Sequence, residues 1–289
     1  MAARIIDGKE IGKKIREEAK QRAAAAREKG IVPCLAVVLA GDDPASVSYV
    51  TGKEKALAEA GMESRDIRLP AAVTESELLS LIATLNKDNA VHGILVQLPL
   101  PRHLNEDRII TAIDPSKDVD GLHPVSMGNM ILGRPGFLPC TPHGVLVLLR
   151  AINIPLSGAH AVVVGRSNLV GKPLANLLAR RDANATVTIC HTGTTDLARY
   201  TLQADILIAA AGKPGLITPD MVRPGAVVID VGVNRIEDAA KKSGFRLCGD
   251  VDSAAAERAG YLTPVPGGVG PMTIAMLLCN VIQAAEAAI

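Results

Sequence analysis

Apolar positions along this chain fall into two alternating patterns. Residues 10–29 repeat apolar side chains at helical spacing and stop at Gly30, a residue suited to a C-terminal cap, so they predict an amphipathic helix. The run CLAVVLA at 34–40 is unbroken and carries β-branched members before Gly41 and Pro44, the pattern of a buried strand. Residues 44–60 then predict a helix ended by Gly61. In the next cycle, residues 67–69 close a strand, and Thr74 with Glu77 forms a capping box for a helix through Leu85. HGILVQL at 92–98 predicts the following strand, halted by Pro99 and Pro101.

The alternation resumes after residue 155. Strand candidates at 160–164, 186–190, 205–209 and 226–230 are separated by helical segments or turns. Such alternation predicts an α/β fold with parallel-rich sheets and right-handed crossovers in each half. The Gly/Pro-rich passage 114–142 reads as a hinge and linker. From Pro271 onward the chain lacks Gly and further Pro, so 271–289 predicts a last helix that packs back on the first half. A chain of 289 residues exceeds the size at which one core stops growing. The expected domains are 1–141 with helix 271–289, and 142–270.

Composition narrows the class. Hydrophobic residues make up 48% and aromatics only 2%, so the core is aliphatic, as buried parallel strands require. A net charge of +1 leaves no electrostatic footprint for nucleic acid or an anionic membrane, which points to small-molecule partners. Cys34, Cys140, Cys190, Cys248 and Cys279 are widely spaced and read as core residues in a reducing compartment. The histidines lack ligand spacing, so no metal is expected. The N-terminus carries no apolar signal core, and no apolar run approaches the ~20 residues of a membrane span. A cytoplasmic protein is the expectation.

Several stretches carry candidate chemistry. PGGVGPMT at 266–273 leaves the backbone bare enough to approach a flat ligand, and it is equally the composition of a connector. GRSNLVGKP at 165–173 follows a strand and precedes a helix, where free amides and the helix dipole hold a cofactor phosphate. Its spacing departs from GxGxxG, so a plain strand-to-helix turn is the other reading. An NAD site places an acid about twenty residues on. Here the next strand ends Cys190, His191, Thr192 without a carboxylate, and Arg166 lies in the turn, which favours the 2′-phosphate of NADP.

In the other half, Tyr49 and Lys53 share one helix face. Lys53 reads either as a solvated surface group or as a ligand group at a strand's carboxyl end. Gln97 is a strand-terminating polar residue or an amide that orients an ammonium, and Asp118 and Asp120 in KDVDG are turn residues or ligand carboxylates.

In order along the chain stand DPASVSYVTGKEK, GILVQLPLP, PSKDVDGLHP, PCTPHG, VVVGRSNLVGKP, IDVGVNR, GDVD and TPVPGGVGPMT. Together they resemble the bifunctional methylenetetrahydrofolate dehydrogenase/methenyltetrahydrofolate cyclohydrolase family over nearly the whole chain. The resemblance implies a folate-binding first domain, a Rossmann-like NADP-binding second domain and a cleft between them. It implies NADP-dependent oxidation of 5,10-methylenetetrahydrofolate and hydrolysis of the product to 10-formyltetrahydrofolate, a one-carbon step that serves purine biosynthesis. Lys53 falls on the family's catalytic lysine, Gln97 on the glutamine that hydrogen-bonds it, Tyr49 on the tyrosine against the aminobenzoyl ring and Asp120 on the aspartate that holds the pterin. Gly267, Gly268 and Pro271 fall beside the folate; Gly165, Arg166, Ser167, Gly171, His191, Thr192 and Val233 fall at cofactor positions.

Asn168 and Ser126 depart from residues common in relatives. A homodimer is implied, and an end at Ile289 predicts no appended synthetase domain. Two rivals remain. A dehydrogenase without cyclohydrolase activity would lack a working Lys53, and a non-catalytic NADP-sensing module would need none of the first domain's YxxxK, VQLP and DVDG set.

Overall fold

The computed structural model describes residues 3–238, 240, 241 and 244–288. In chain order its first elements are β1 (Arg4–Ile5), α1 (Gly8–Glu28), β2 (Cys34–Ala40), α2 (Pro44–Glu59), β3 (Glu63–Leu69), α3 (Glu75–Lys87) and β4 (Gly93–Val96). Helices α4 (Glu106–Thr111), α5 (Pro124–Leu132) and α6 (Cys140–Ala151) follow, then β5 (His160–Val164), α7 (Gly171–Ala179), β6 (Thr186–Cys190), α8 (Leu197–Thr201) and β7 (Ile206–Ala209). The chain closes with β8 (Val227–Asp230), β9 (Asn234–Glu237), β10 (Phe245–Cys248), β11 (Tyr261–Leu262) and α9 (Val269–Glu286).

The residues divide into two compact units. One contains Lys13–Cys140 and the chain from Ile274; the other contains the residues up to Gly12 and Thr141–Thr273. In the first, three parallel strands lie in the order β3-β2-β4. Every residue of β2 is buried, and full burial of a Val or Leu side chain contributes roughly 1.5–3 kcal/mol, which places this strand at the centre. Thr74 caps α3, with the reciprocal Glu77 contact of a capping box. In the second unit the sheet order is β1-β11-β8-β7-β5-β6, all parallel, with β9 and β10 forming a separate antiparallel pair.

Both sheets reverse strand order at one point. From β2 the chain moves to β3 on one side and later to β4 on the other; from β5 it moves to β6 and then to β7 across β5. In open α/β sheets, ligands bind outside the carboxyl ends of the strands at such switch points. The ends of β2 and β4, and those of β5 and β7, are therefore the places to look for chemistry.

Some sequence expectations need correction. The passage 114–142 is not a linker: it contains α5 and the start of α6, and Asp118, Val119, Ser126 and Met130 in it are buried. Its Pro and Gly punctuate a helix rather than break the fold. Pro124 occupies the first turn of α5, where a missing N–H is harmless, and Gly133 ends it in the left-handed conformation. The last helix starts at Val269, two residues before Pro271, which sits where helix N–H groups have no intrahelical acceptor. Its apolar 18-residue span has a mean hydropathy of 1.3, sufficient by composition for a membrane crossing, yet 61% of it is buried within the protein as a core helix.

Candidate active site

In the three-stranded unit, α2 and the end of β4 meet at the switch point. Lys53, in the middle of α2, is only 7% exposed, and its Nζ donates to Gln97 Oε1 at 2.9 Å. Gln97 follows the last residue of β4. Its main-chain N–H bonds Val38 O on β2 at 2.9 Å and its Nε2 donates to Leu98 O at 2.6 Å, so both ends of the side chain are fixed. Burial pushes the Lys53 ammonium below the usual lysine value, and the charge of Asp120 opposes that fall. Of the two readings for Lys53, the solvated one is gone.

The acids of KDVDG divide by role. Asp118 is 2% exposed and accepts from the N–H of His123 at 2.8 Å, the N–H of Leu122 at 3.2 Å and the Ser126 hydroxyl at 2.6 Å, so it holds the turn and the start of α5. Asp120 is half-buried and remains the charge that acts on Lys53 and on Cys140. The turn that carries both admits no side chain at Gly121, next after Asp120. Its φ is +72°, and a Cβ there would fall 2.6 Å from Leu138 C and Pro139 N. Tyr49, one turn before Lys53, is 43% exposed.

Two residues without an assigned role in the sequence support this loop. Asn280 of α9, 3% exposed, donates from Nδ2 to Val119 O at 2.8 Å and Leu138 O at 3.0 Å. Cys140 is buried beside Asp120, its Sγ 3.4 Å from Val119 O, and burial raises its thiol well above the ordinary range, so it is a neutral thiol. A signal for Asn280 was available. It is a lone amide in the apolar run MLLCNVI, where an unpaired polar group is costly.

In the six-stranded unit, the turn after β5 fits a phosphate-bearing cofactor. Gly165 has φ +135°, and a Cβ on it would lie 2.0 Å from Ala210 O; one on Gly171 would lie 2.2 Å from Gly165 O. The turn thus closes on itself and on the end of β7. Among the described residues, the main-chain N–H groups of Arg166, Ser167, Asn168 and Leu169 make no hydrogen bond within the protein, so they are free for an anion at the start of α7. Ser167 Oγ accepts from Val170 N at 3.1 Å and Gly171 N at 3.4 Å, which leaves its O–H as a donor.

Arg166 is exposed and has no carboxylate partner among the described residues. After β6, His191 Nδ1 accepts from Gly193 N at 3.1 Å, which puts the proton of a neutral ring on Nε2; Thr192 beside it is exposed. Val233 is 46% exposed in the loop after β8. Gly267 and Gly268 belong to this unit and are buried. A Cβ on Gly268 would lie 2.7 Å from Thr263 Cβ, and one on Gly8 would lie 1.7 Å from Gly268 O. Close packing within the unit therefore already accounts for bare backbone there. Pro271 is half-buried in the first turn of α9.

His143 of the PCTPHG motif has its Nδ1 buried without a partner. Burial, with Arg150 and Arg180 adding to it, holds the ring down at about 4, against 6.5 for a free histidine. The folded pKa is depressed, so this contribution to stability is complete above pH 6.5 and is lost as pH falls toward 4. The fall from 6.5 to about 4 corresponds to a loss of ~3 kcal/mol across that window. Relative to the parent, His143→Gln should gain thermal stability as pH is lowered across that window. A gap that does not change with pH would show that the ring is not held neutral.

Residues 139–289 match the family described as tetrahydrofolate dehydrogenase/cyclohydrolase, NAD(P)-binding domain, and residues 6–120 match its catalytic domain. Among curated relatives, the bifunctional protein FolD of Geobacillus thermodenitrificans is 57% identical over 99% of this chain and 98% of its own. That of Polaromonas naphthalenivorans is 54% identical over 99% of both. Among solved structures, the FolD methylenetetrahydrofolate dehydrogenase/cyclohydrolase of Campylobacter jejuni superposes with a TM-score of 0.94 at 50% identity over 100% of both chains. The Trypanosoma brucei methylenetetrahydrofolate dehydrogenase-cyclohydrolase, solved with NADP and an inhibitor, gives 0.95 at 40% identity over 99% of this chain and 98% of its own.

Proposed function

The chain belongs to the tetrahydrofolate dehydrogenase/cyclohydrolase family, and from that membership we propose how its own residues divide two consecutive reactions. The first is NADP-linked oxidation of 5,10-methylenetetrahydrofolate to the 5,10-methenyl cation; the second is hydrolysis of that cation to 10-formyltetrahydrofolate. The observation that carries the division is the buried Lys53 ammonium held on Gln97 Oε1.

In the lysine unit, burial favours the free amine of Lys53. That amine takes a proton from the water that adds to the methenyl bridge, while Gln97 keeps Nζ in one place. Asp120 accepts hydrogen bonds from the donor edge of the pterin, and Tyr49 presents its exposed ring to the aminobenzoyl group. In the other unit, the free N–H groups after Gly165 and the Ser167 hydroxyl hold phosphate oxygens. Arg166 grips the 2′-phosphate bidentately, with Gly171, His191, Thr192 and Val233 completing the cofactor surface. NADP supplies the hydride acceptor. We extend the reading to a cytoplasmic homodimer with no nucleic-acid or membrane partner, on the near-zero net charge and the resemblance; light scattering that gave a monomer mass would remove the dimer.

Purified protein given methylenetetrahydrofolate and NADP should form NADPH, and given methenyltetrahydrofolate alone should consume it well above the protein-free rate. NADPH with methenyl accumulating in step would leave a dehydrogenase only. Formation of neither product would leave a binding module.

A further inference from the structure

Two buried carboxylates that none of these steps uses join the loops at the carboxyl edge of the six-stranded sheet. Asp250 is 0% exposed. Its Oδ2 accepts the main-chain N–H groups of Ala211 at 2.7 Å and Gly212 at 2.8 Å, in the loop leaving β7, and its Oδ1 accepts Asn234 Nδ2 at 2.8 Å at the start of β9. Asp230, the last residue of β8, accepts from the N–H groups of Gly232, Asp250 and Val251 at 2.9–3.0 Å, while its own N–H bonds Thr263 Oγ1 at 2.7 Å. Neither carboxylate has an ion-pair partner among the described residues. Main-chain donors face both carboxylates instead, and at Asp230 they only partly offset burial, which lifts that carboxyl to about 6.

The packing leaves these groups no freedom. A Cβ on Gly232 would fall 2.2 Å from Asp250 Oδ1, and one on Gly249 would fall 1.7 Å from Asp230 Oδ2. The loop that Asp250 holds is one wall of the β5/β7 switch point, since Ala210 O lies where a Gly165 side chain would begin. Asn234 adjoins the exposed Val233 on the neighbouring loop.

We propose that Asp250 is a positioning residue for the dinucleotide: by clamping the amides of Ala211 and Gly212 together with Asn234, it sets the wall that faces the Gly165 turn. The proposal rests on the reading of that turn as the NADP site. An amide at position 250 loses the charge that strengthens the Ala211 and Gly212 contacts, and it keeps Asn234 only if that side chain turns its Oδ1 inward, so the clamp is weakened.

Asp250→Asn should raise the KM for NADP roughly ten-fold to a hundred-fold, the range for losing a charge-assisted buried contact. Hydrolysis of supplied methenyltetrahydrofolate without NADP, and its KM, should stay within about two-fold of the parent. Arg166→Ala, measured beside it, separates the two levels of the argument. If Arg166→Ala raises the KM for NADP and Asp250→Asn does not, the positioning role is overturned while the cofactor site stands. If neither variant changes it, the reading of the turn falls and the proposal with it. Loss of both activities in proportion to lost folded protein, with the NADP KM unchanged, would make Asp250 a purely structural residue and likewise overturn the proposal. Should Asp250→Asn not fold, Asn234→Ala decides, because it frees one side of the clamp and leaves the main-chain contacts; a raised NADP KM supports the role and a parental one ends it.

Discussion

Lys53→Met should reduce methenyltetrahydrofolate hydrolysis by ~100-fold to ~10,000-fold, the usual contribution of a general acid-base group, while NADP affinity stays at the parental level. Methionine is the informative replacement because Lys53 is 7% exposed. A flexible apolar chain of similar length fills the same space, whereas alanine would add a cavity and confuse chemistry with stability. Gln97 Oε1 loses its donor in the variant, a cost expected at ~1–3 kcal/mol in stability and visible in the thermal midpoint. The hydride step needs no proton from this side chain, so oxidation should fall far less than hydrolysis. Parental hydrolysis by a folded Lys53→Met protein would show that another group activates the water.

The pairing behind that expectation illustrates what the sequence conveyed. Local signals were legible: the Thr74/Glu77 capping box, the buried run CLAVVLA and the strand-turn-helix context of Gly165 all appear where the pattern placed them. Each depends on residues a few positions apart. Lys53 and Gln97 are 44 positions apart, and spacing alone says nothing of their contact; the resemblance linked them, and the parallel pairing of β4 with β2 is what brings Gln97 under α2. Turn chemistry could not separate Asp118 from Asp120, because both are acids of one turn; only the resemblance singled out Asp120. The burial of Asp118 comes from its bonds to the start of α5, a helix concealed in the Gly/Pro-rich passage that reads as a linker. The β9–β10 pair and the parallel seating of β1 beside β11 were also invisible, since strands of two to four residues carry too little pattern to register.

Asp120→Asn should raise the KM for both folate substrates roughly ten-fold to a hundred-fold and leave the KM for NADP unchanged. An ionised carboxylate accepts two hydrogen bonds from the donor edge of a pterin, whereas an amide offers one acceptor and one competing donor. The same substitution removes the negative charge that raises the Lys53 pKa, so Lys53 should titrate lower still. A base acts in its unprotonated form, and the acid limb of the hydrolysis rate at saturating folate should therefore move to lower pH. The two consequences separate the roles of Asp120. Weaker folate binding with an unmoved limb would make it a pterin ligand that does not tune the lysine, and a moved limb with parental folate affinity would make it the lysine's counter-charge alone. Parental values of both would return Asp120 to a turn residue, with its contacts no more than the geometry that Gly121 and Leu138 impose.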